Sequence, residues 1–160
     1  MPTLTGRLRG IELVTLTEDQ LHAIGLETNR RKGSRDNIVR WNDRLKDALD
    51  AALALRQTIW DKNKTPIPLN AKDRLVFVAA HGGRLAKSSF DTAWQRLVHK
   101  AMDAKVITQE ERFGLHDLKR RGITDTPGTR DVKKEASGHK TDSQLDVDDL
   151  SLPVVEPAAE

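Results

Sequence analysis

The chain has 160 residues, with 27 Lys and Arg against 24 Asp and Glu, five His, no Cys and no Tyr. That length suits one domain of ordinary size. Its longest apolar runs, such as residues 75–80, are too short to span a bilayer. No long apolar stretch opens the chain, so no secretory signal is expected. Without Cys there is no disulfide framework and no thiolate metal site. From Asp142 onward there are six acids and no Lys or Arg, so residues 1–141 hold 27 bases against 18 acids, a net of +9. A basic body with an acidic end points to a polyanionic partner for the body.

Residues 5–16 read as a helix, capped by Thr3 or Thr5, with Leu8, Ile11, Glu12 and Thr15 at helical spacing. Thr17 with Gln20 three residues on is a second capping signal, expected to open a short turn. Residues 26–31 and 35–41 read as two strands around Lys32-Gly33-Ser34, a hairpin in which Ile38 and Arg40 take one face and Asn37, Val39 and Trp41 the other. Asn42 or Asp43 caps a helix to about residue 57. Its stripe is Leu45, Ala48, Leu49, Ala52, Leu53 and Arg56. A proline-containing loop follows, then a short buried strand over 74–79 that ends at His81-Gly82-Gly83. Ser88 or Ser89 caps a helix to about 104, with Phe90, Ala93, Trp94, Leu97, Val98 and Ala101 on one side. Residues 113–123 read as a helix broken by Thr126-Pro127-Gly128. Two short helices follow, over 130–137 and 141–149. Pro153, Pro157 and the acids give residues 151–160 the composition of an irregular acidic tail. The expected class is α+β: a mostly helical domain over residues 1–150 with a small antiparallel sheet.

Chemistry concentrates in two segments, Gly114-Leu115-His116-Asp117-Leu118-Lys119-Arg120-Arg121-Gly122 and Ser137-Gly138-His139-Lys140-Thr141. His116 and Lys119, three apart, share a helix face. Ahead of them come Thr5-Gly6-Arg7-Leu8-Arg9-Gly10-Ile11-Glu12-Leu13, the hairpin Lys32, Leu75-Val76-Phe77 and the helix with Phe90 and Trp94. In this order and at these intervals the motifs resemble the catalytic domain of the tyrosine recombinases, the phage-integrase family, over nearly the whole chain.

The resemblance implies the family's fold, a double-stranded DNA partner, and strand cleavage and rejoining through a 3′-phosphotyrosyl bond without metal or cofactor. Such chemistry needs fixed cations for the phosphorane oxygens, and guanidinium forks match them two at a time. By resemblance Arg9 takes the place of the first arginine, three before Glu12, with Arg7 as its rival. Glu12 is a supporting acid. Lys32 matches the lysine that protonates the leaving oxygen, His116 the first histidine, and His139 the later histidine that hydrogen-bonds the phosphate.

Two positions depart from the family pattern. Lys119 stands where the second arginine belongs and offers charge without a bidentate fork; Arg120, next to it, points about 100° further round the helix. Asp148 stands where the nucleophilic tyrosine belongs, and the chain has no other tyrosine. A carboxylate there repels a phosphodiester by about 1 kcal/mol at 4 Å in water, and more where water is excluded. The expected protein therefore binds DNA but does not complete the recombination cycle. The alternative reading is a non-catalytic DNA-binding module or a decayed prophage integrase fragment.

Arg30, Arg31, Arg35, Arg120 and Arg121 join Lys32 and Lys119 as candidate phosphate contacts. Only four residues precede the first motif, so a piece lacking the family's N-terminal DNA clamp is expected. The tail is a candidate contact between copies of the chain on DNA. The implied location is the cytoplasm of a bacterium, including a phage-infected one, in association with the nucleoid.

Overall fold

The computed structural model describes residues 8–30 and 34–151. Its elements follow in order: α1 (Gly10–Val14), a 3-10 turn (Glu18–Gln20), β1 (Leu21–His22), β2 (Gly25–Thr28), β3 (Asn37–Arg40), α2 (Asp43–Asn63), a second 3-10 turn (Ala71–Asp73), α3 (Lys87–Asp103), α4 (Leu115–Thr124), α5 (Arg130–Ser137) and α6 (Asp142–Asp148). The three strands form one antiparallel sheet in the order β1-β2-β3. The α+β class read from the sequence is the class observed. Among the described residues, no helix is long and apolar enough to cross a membrane.

The opening helix is shorter than its periodicity predicts. It starts at Gly10, because the Glu12 carboxylate turns back to accept a 2.8 Å hydrogen bond from the Arg9 backbone N–H. The expected caps Thr3 and Thr5, and the rival Arg7, lie outside the described residues. Gly10 permits close packing: a Cβ there would stand 3.3–3.6 Å from Lys87, Phe90 and Leu115. The absent side chain thus lets α1 lie against α3 and the start of α4. The Thr17–Gln20 signal does open a turn, with Gln20 Oε1 accepting from the Thr17 N–H at 3.0 Å.

The hairpin is present but its strands are shorter than expected. Pairing stops at Thr28↔Asn37, so the connection is longer than the Gly-Ser turn read from the sequence. The strand ends there because the Arg30 N–H donates to Asp36 Oδ1 at 2.6 Å, which bends the chain inward. The extra strand predicted over 74–79 does not form a ladder. Leu75 bridges Thr17 and Val78 bridges Arg84, each at a single point, while Leu21–His22 supplies the third strand instead. Val76 is nonetheless fully buried, with its N–H on the Leu16 carbonyl at 2.9 Å.

One apolar core joins Leu8, Leu13, Leu16, Leu26, Leu45 and Val76, flanked by Leu49, Leu53, Phe77 and Phe90. Each fully buried leucine in it contributes about 1.5–3 kcal/mol. Asn42 caps α2 through its Oδ1, which accepts from the Leu45 N–H at 2.8 Å. α2 runs to Asn63, six residues past the predicted end. Its last turns are held by Arg56, which stacks 4.4 Å over Trp60, donates to the Leu75 carbonyl and pairs with Glu18, and by Trp60, whose Nε1 donates to the Gly82 carbonyl. On α3 the buried side chains are Trp94 and Val98, and Trp94 meets Phe113 edge to face at 5.6 Å. Leu97 of the predicted stripe is exposed.

Candidate phosphate-binding site

Three helix segments and the hairpin deliver polar side chains to one place. α4 begins at Gly114, whose N–H donates to Asp117 Oδ2 at 2.8 Å; Asp117 caps its own helix and so points away from the site. This phasing turns His116 and Lys119 toward the same neighbour, Asp148 of α6. Lys119 Nζ lies 2.7 Å from Asp148 Oδ2, and His116 Nε2 lies 3.4 Å from Asp148 Oδ1. His139 Nε2 stands 3.2 Å from Asp148 Oδ2 and 3.3 Å from Lys119 Nζ. Lys119 is only 1% exposed and Asp148 5%, whereas the His116 side chain is 60% exposed and stands at the mouth.

His139 reaches this point because Gly138 ends α5 in the left-handed region, at φ +73°. A Cβ on Gly138 would lie 2.4 Å from the Arg35 carbonyl oxygen. The Gly138 carbonyl in turn accepts from the Arg35 N–H at 2.8 Å. Asn37 of β3 donates to the carbonyls of Glu135 and Ala136, so the hairpin satisfies the open end of α5. The sheet and the His139 turn are therefore one unit.

Ser137 Oγ lies 3.0 Å from both the Lys134 carbonyl and His139 Nδ1, and so orients the imidazole. His139 Nε2 is thereby turned toward Lys119 Nζ and Asp148 Oδ2. Burial and the Lys119 charge push the His139 pKa down, which favours the neutral imidazole.

The cations belong to two layers. Glu12, buried at the start of α1, pairs with Arg9 at 3.0 Å and with Arg30 at 3.6 Å. Arg30 also reaches the Ala136 carbonyl at 3.4 Å. Both guanidiniums are close enough to Lys119 to help lower its pKa, after burial itself; Asp148 works in the opposite direction. For Asp148, burial opposes ionisation. The hydrogen bond and charge of Lys119, followed by His116 and His139, outweigh it and hold the carboxyl below its ordinary range. Lys119 and Asp148 stand 2.7 Å apart as an ion pair, with the His139 ring beside them.

Of the residues predicted from the sequence, Arg9, His116, Lys119, His139 and Asp148 are gathered in this site. Lys32 and Arg31 lie outside the described residues. Arg30, expected on the DNA-facing surface, has a wholly buried side chain against Glu12, because its backbone bends inward at Asp36. Arg35 is exposed. Arg121 is exposed and pairs with Asp125 at 2.6 Å. Arg120, half-buried, lines an apolar groove with Phe113, Leu118 and Leu150, away from the site, as its helical phase requires. Sequence reasoning included Ser137 in a chemically dense segment but gave it no role, and it missed Lys133. The buried Lys133 ammonium binds the Thr124 carbonyl, Asp149 and Ser151 at 2.8–3.1 Å, and so fixes the end of α6. Lys133 does not stand out by type or spacing, whereas for Ser137 the signal was its hydroxyl two residues before His139.

No family model and no curated protein matches this chain. Solved structures do. The crystal structure of XerA recombinase superposes with a TM-score of 0.70 at 17% identity, over 94% of this chain and 51% of that one. The Tn1549 transposon integrase in complex with transposon right end DNA gives 0.70 at 14% identity, over 95% and 53%. The same integrase with circular intermediate DNA gives 0.65 at 15%, over 94% and 52%. At these identities the likeness is one of fold, and the chain spans about half the length of the structures it matches. The fold is that of a recombinase catalytic domain, the fold the motif order had led us to expect.

Proposed function

We propose that this chain is a DNA-binding domain of the tyrosine-recombinase type whose strand-cleavage step is silent. The observation that carries this reading is Asp148. It stands on α6 where Lys119, His139 and His116 converge, the place at which the resemblance puts a nucleophilic phenol, and it is a carboxylate in ion pair with Lys119. A carboxylate so paired is a weak nucleophile and repels the phosphodiester it would have to attack. Arg9 is 25% exposed at the rim of the site, and with Lys32, Arg31, Arg35 and Arg121 it supplies cations for the DNA backbone. Two of the structures that share the fold hold DNA. The same reading places the protein with bacterial or phage DNA in the cytoplasm and gives the acidic tail a role in assembling copies on DNA.

The test is duplex binding as a function of salt, together with a denaturing gel after incubation with nicked duplexes. Binding should weaken with a log–log slope near −0.9 per phosphate neutralised, and no covalent adduct should form. No binding at low salt would refute the DNA partner. A protein–DNA adduct would refute the silent step.

A further inference from the structure

Resting on that reading, we propose that Asp148 is an internal anion that fills the phosphate seat of this site, so that a phosphodiester reaches Lys119 and His139 only after the Asp148 side chain leaves. Three nitrogen-bearing side chains surround the Asp148 carboxylate as they would an oxyanion. Lys119 Nζ and His139 Nε2 both face Oδ2, at 2.7 and 3.2 Å, and His116 Nε2 faces Oδ1 at 3.4 Å. The 2.7 Å contact leaves no room for a second anion's oxygen between carboxylate and ammonium.

Charge leads to the same conclusion. Asp148 is the carboxylate in contact with Lys119, His116 and His139. Removing its charge leaves the buried Lys119 ammonium without that anion, and with it in place an incoming phosphate must displace a bound carboxylate.

The helix that delivers Asp148 is tied down. Thr141 Oγ1 caps its first turn, Leu145 is fully buried, and Asp149 is gripped by Lys133 at 3.1 Å. Release of the seat is therefore a rotation of one side chain and not the departure of α6. The ligand class that follows is a singly or doubly charged oxyanion: a backbone phosphodiester of DNA, or free phosphate as its minimal surrogate.

Asp148→Ala, Asp148→Asn and Asp146→Asn separate this effect from simple charge. Asp146 is exposed, pairs with Arg130 and lies outside the seat, so its substitution changes net charge by the same amount. Duplex affinity at fixed salt should rise at least about fivefold in Asp148→Ala and less than about twofold in Asp146→Asn. In parallel, inorganic phosphate is titrated while the imidazole resonances of His139 and His116 are followed by NMR. Asp148→Ala should show saturable shifts and the wild type none over the same range.

Equal gains in the Asp148 and Asp146 variants, or saturable phosphate shifts in the wild type, would overturn the proposal. If Asp148→Ala does not fold, Asp148→Asn decides, since it keeps the shape and a hydrogen-bonding oxygen for Lys119 while removing the charge. Wild-type binding to DNA with no gain in the variants would refute the internal anion alone. Saturable phosphate shifts in the variants with no duplex binding by any of the proteins would refute the DNA reading alone.

Discussion

The apolar core around Leu26 and Leu45 and the polar cluster around Lys119 are equally dry, but they are held together by opposite means. In the first, side chains from α1, β2, α2 and the 75–77 segment need only shape and apolar surface. In the second, Lys119 and Asp148 lie buried at 2.7 Å and each is tolerable only because of the other. An apolar core degrades by degrees when a methyl group is lost. A buried ion pair fails at once when one member goes, because the partner's charge remains without water. The comparison teaches where this fold gathers its buried charges: at the junction of α4, the His139 turn and α6, and not in its main core.

The largest expected effect breaks the pair. Lys119→Met should cost about 3–5 kcal/mol in denaturant unfolding, since it leaves Asp148 buried without its cation. The double substitution Lys119→Met with Asp148→Leu should recover most of that loss. If the single variant costs no more than an exposed substitution, the two regions are not held as described. Leu26→Ala tests the apolar side and should cost about 2–5 kcal/mol, with no recovery from any charge change. The outcome that would blur the distinction is a Leu26→Ala loss that depends on Asp148.

A smaller effect joins the regions. Gly138→Ala should cost about 1–2 kcal/mol for the left-handed backbone alone, and its Cβ must also push the Arg35 carbonyl away. The expected signature is a change in the His139 environment by NMR together with shifts in β3. Movement of the histidine without the strand would show that sheet and turn are not one unit. Arg121→Ala is the smallest. Its exposed pair with Asp125 should change stability by less than about 1 kcal/mol, measured as a Tm shift, while duplex binding loses about one phosphate's worth of salt slope.

Much of the architecture was legible along the chain. The stripe Leu45, Leu49, Ala52 and Leu53 marks α2, and the two short helices read over 130–137 and 141–149 are α5 and α6, because helix patterning is a local property. Strand lengths were less legible. The strand ending at Thr28 depends on Asp36 capturing the Arg30 N–H, and the 74–79 segment found only single-point partners in Thr17 and Arg84. Both outcomes depend on residues that spacing does not connect.

The site shows the same division. The sequence by itself determined which residue types are present: His116 and Lys119 on one helix face, His139 after a glycine, no tyrosine anywhere, and an aspartate at position 148. Helical phase and composition settle those facts without any tertiary contact. Only the tertiary structure decided that Asp148 binds Lys119, that Ser137 orients His139, that Glu12 holds Arg9 and Arg30 together, and that Arg30 is inside. The physical reason is burial. A charge's partner and protonation are set by which other charges are sealed from water with it, and that is a property of the packed fold.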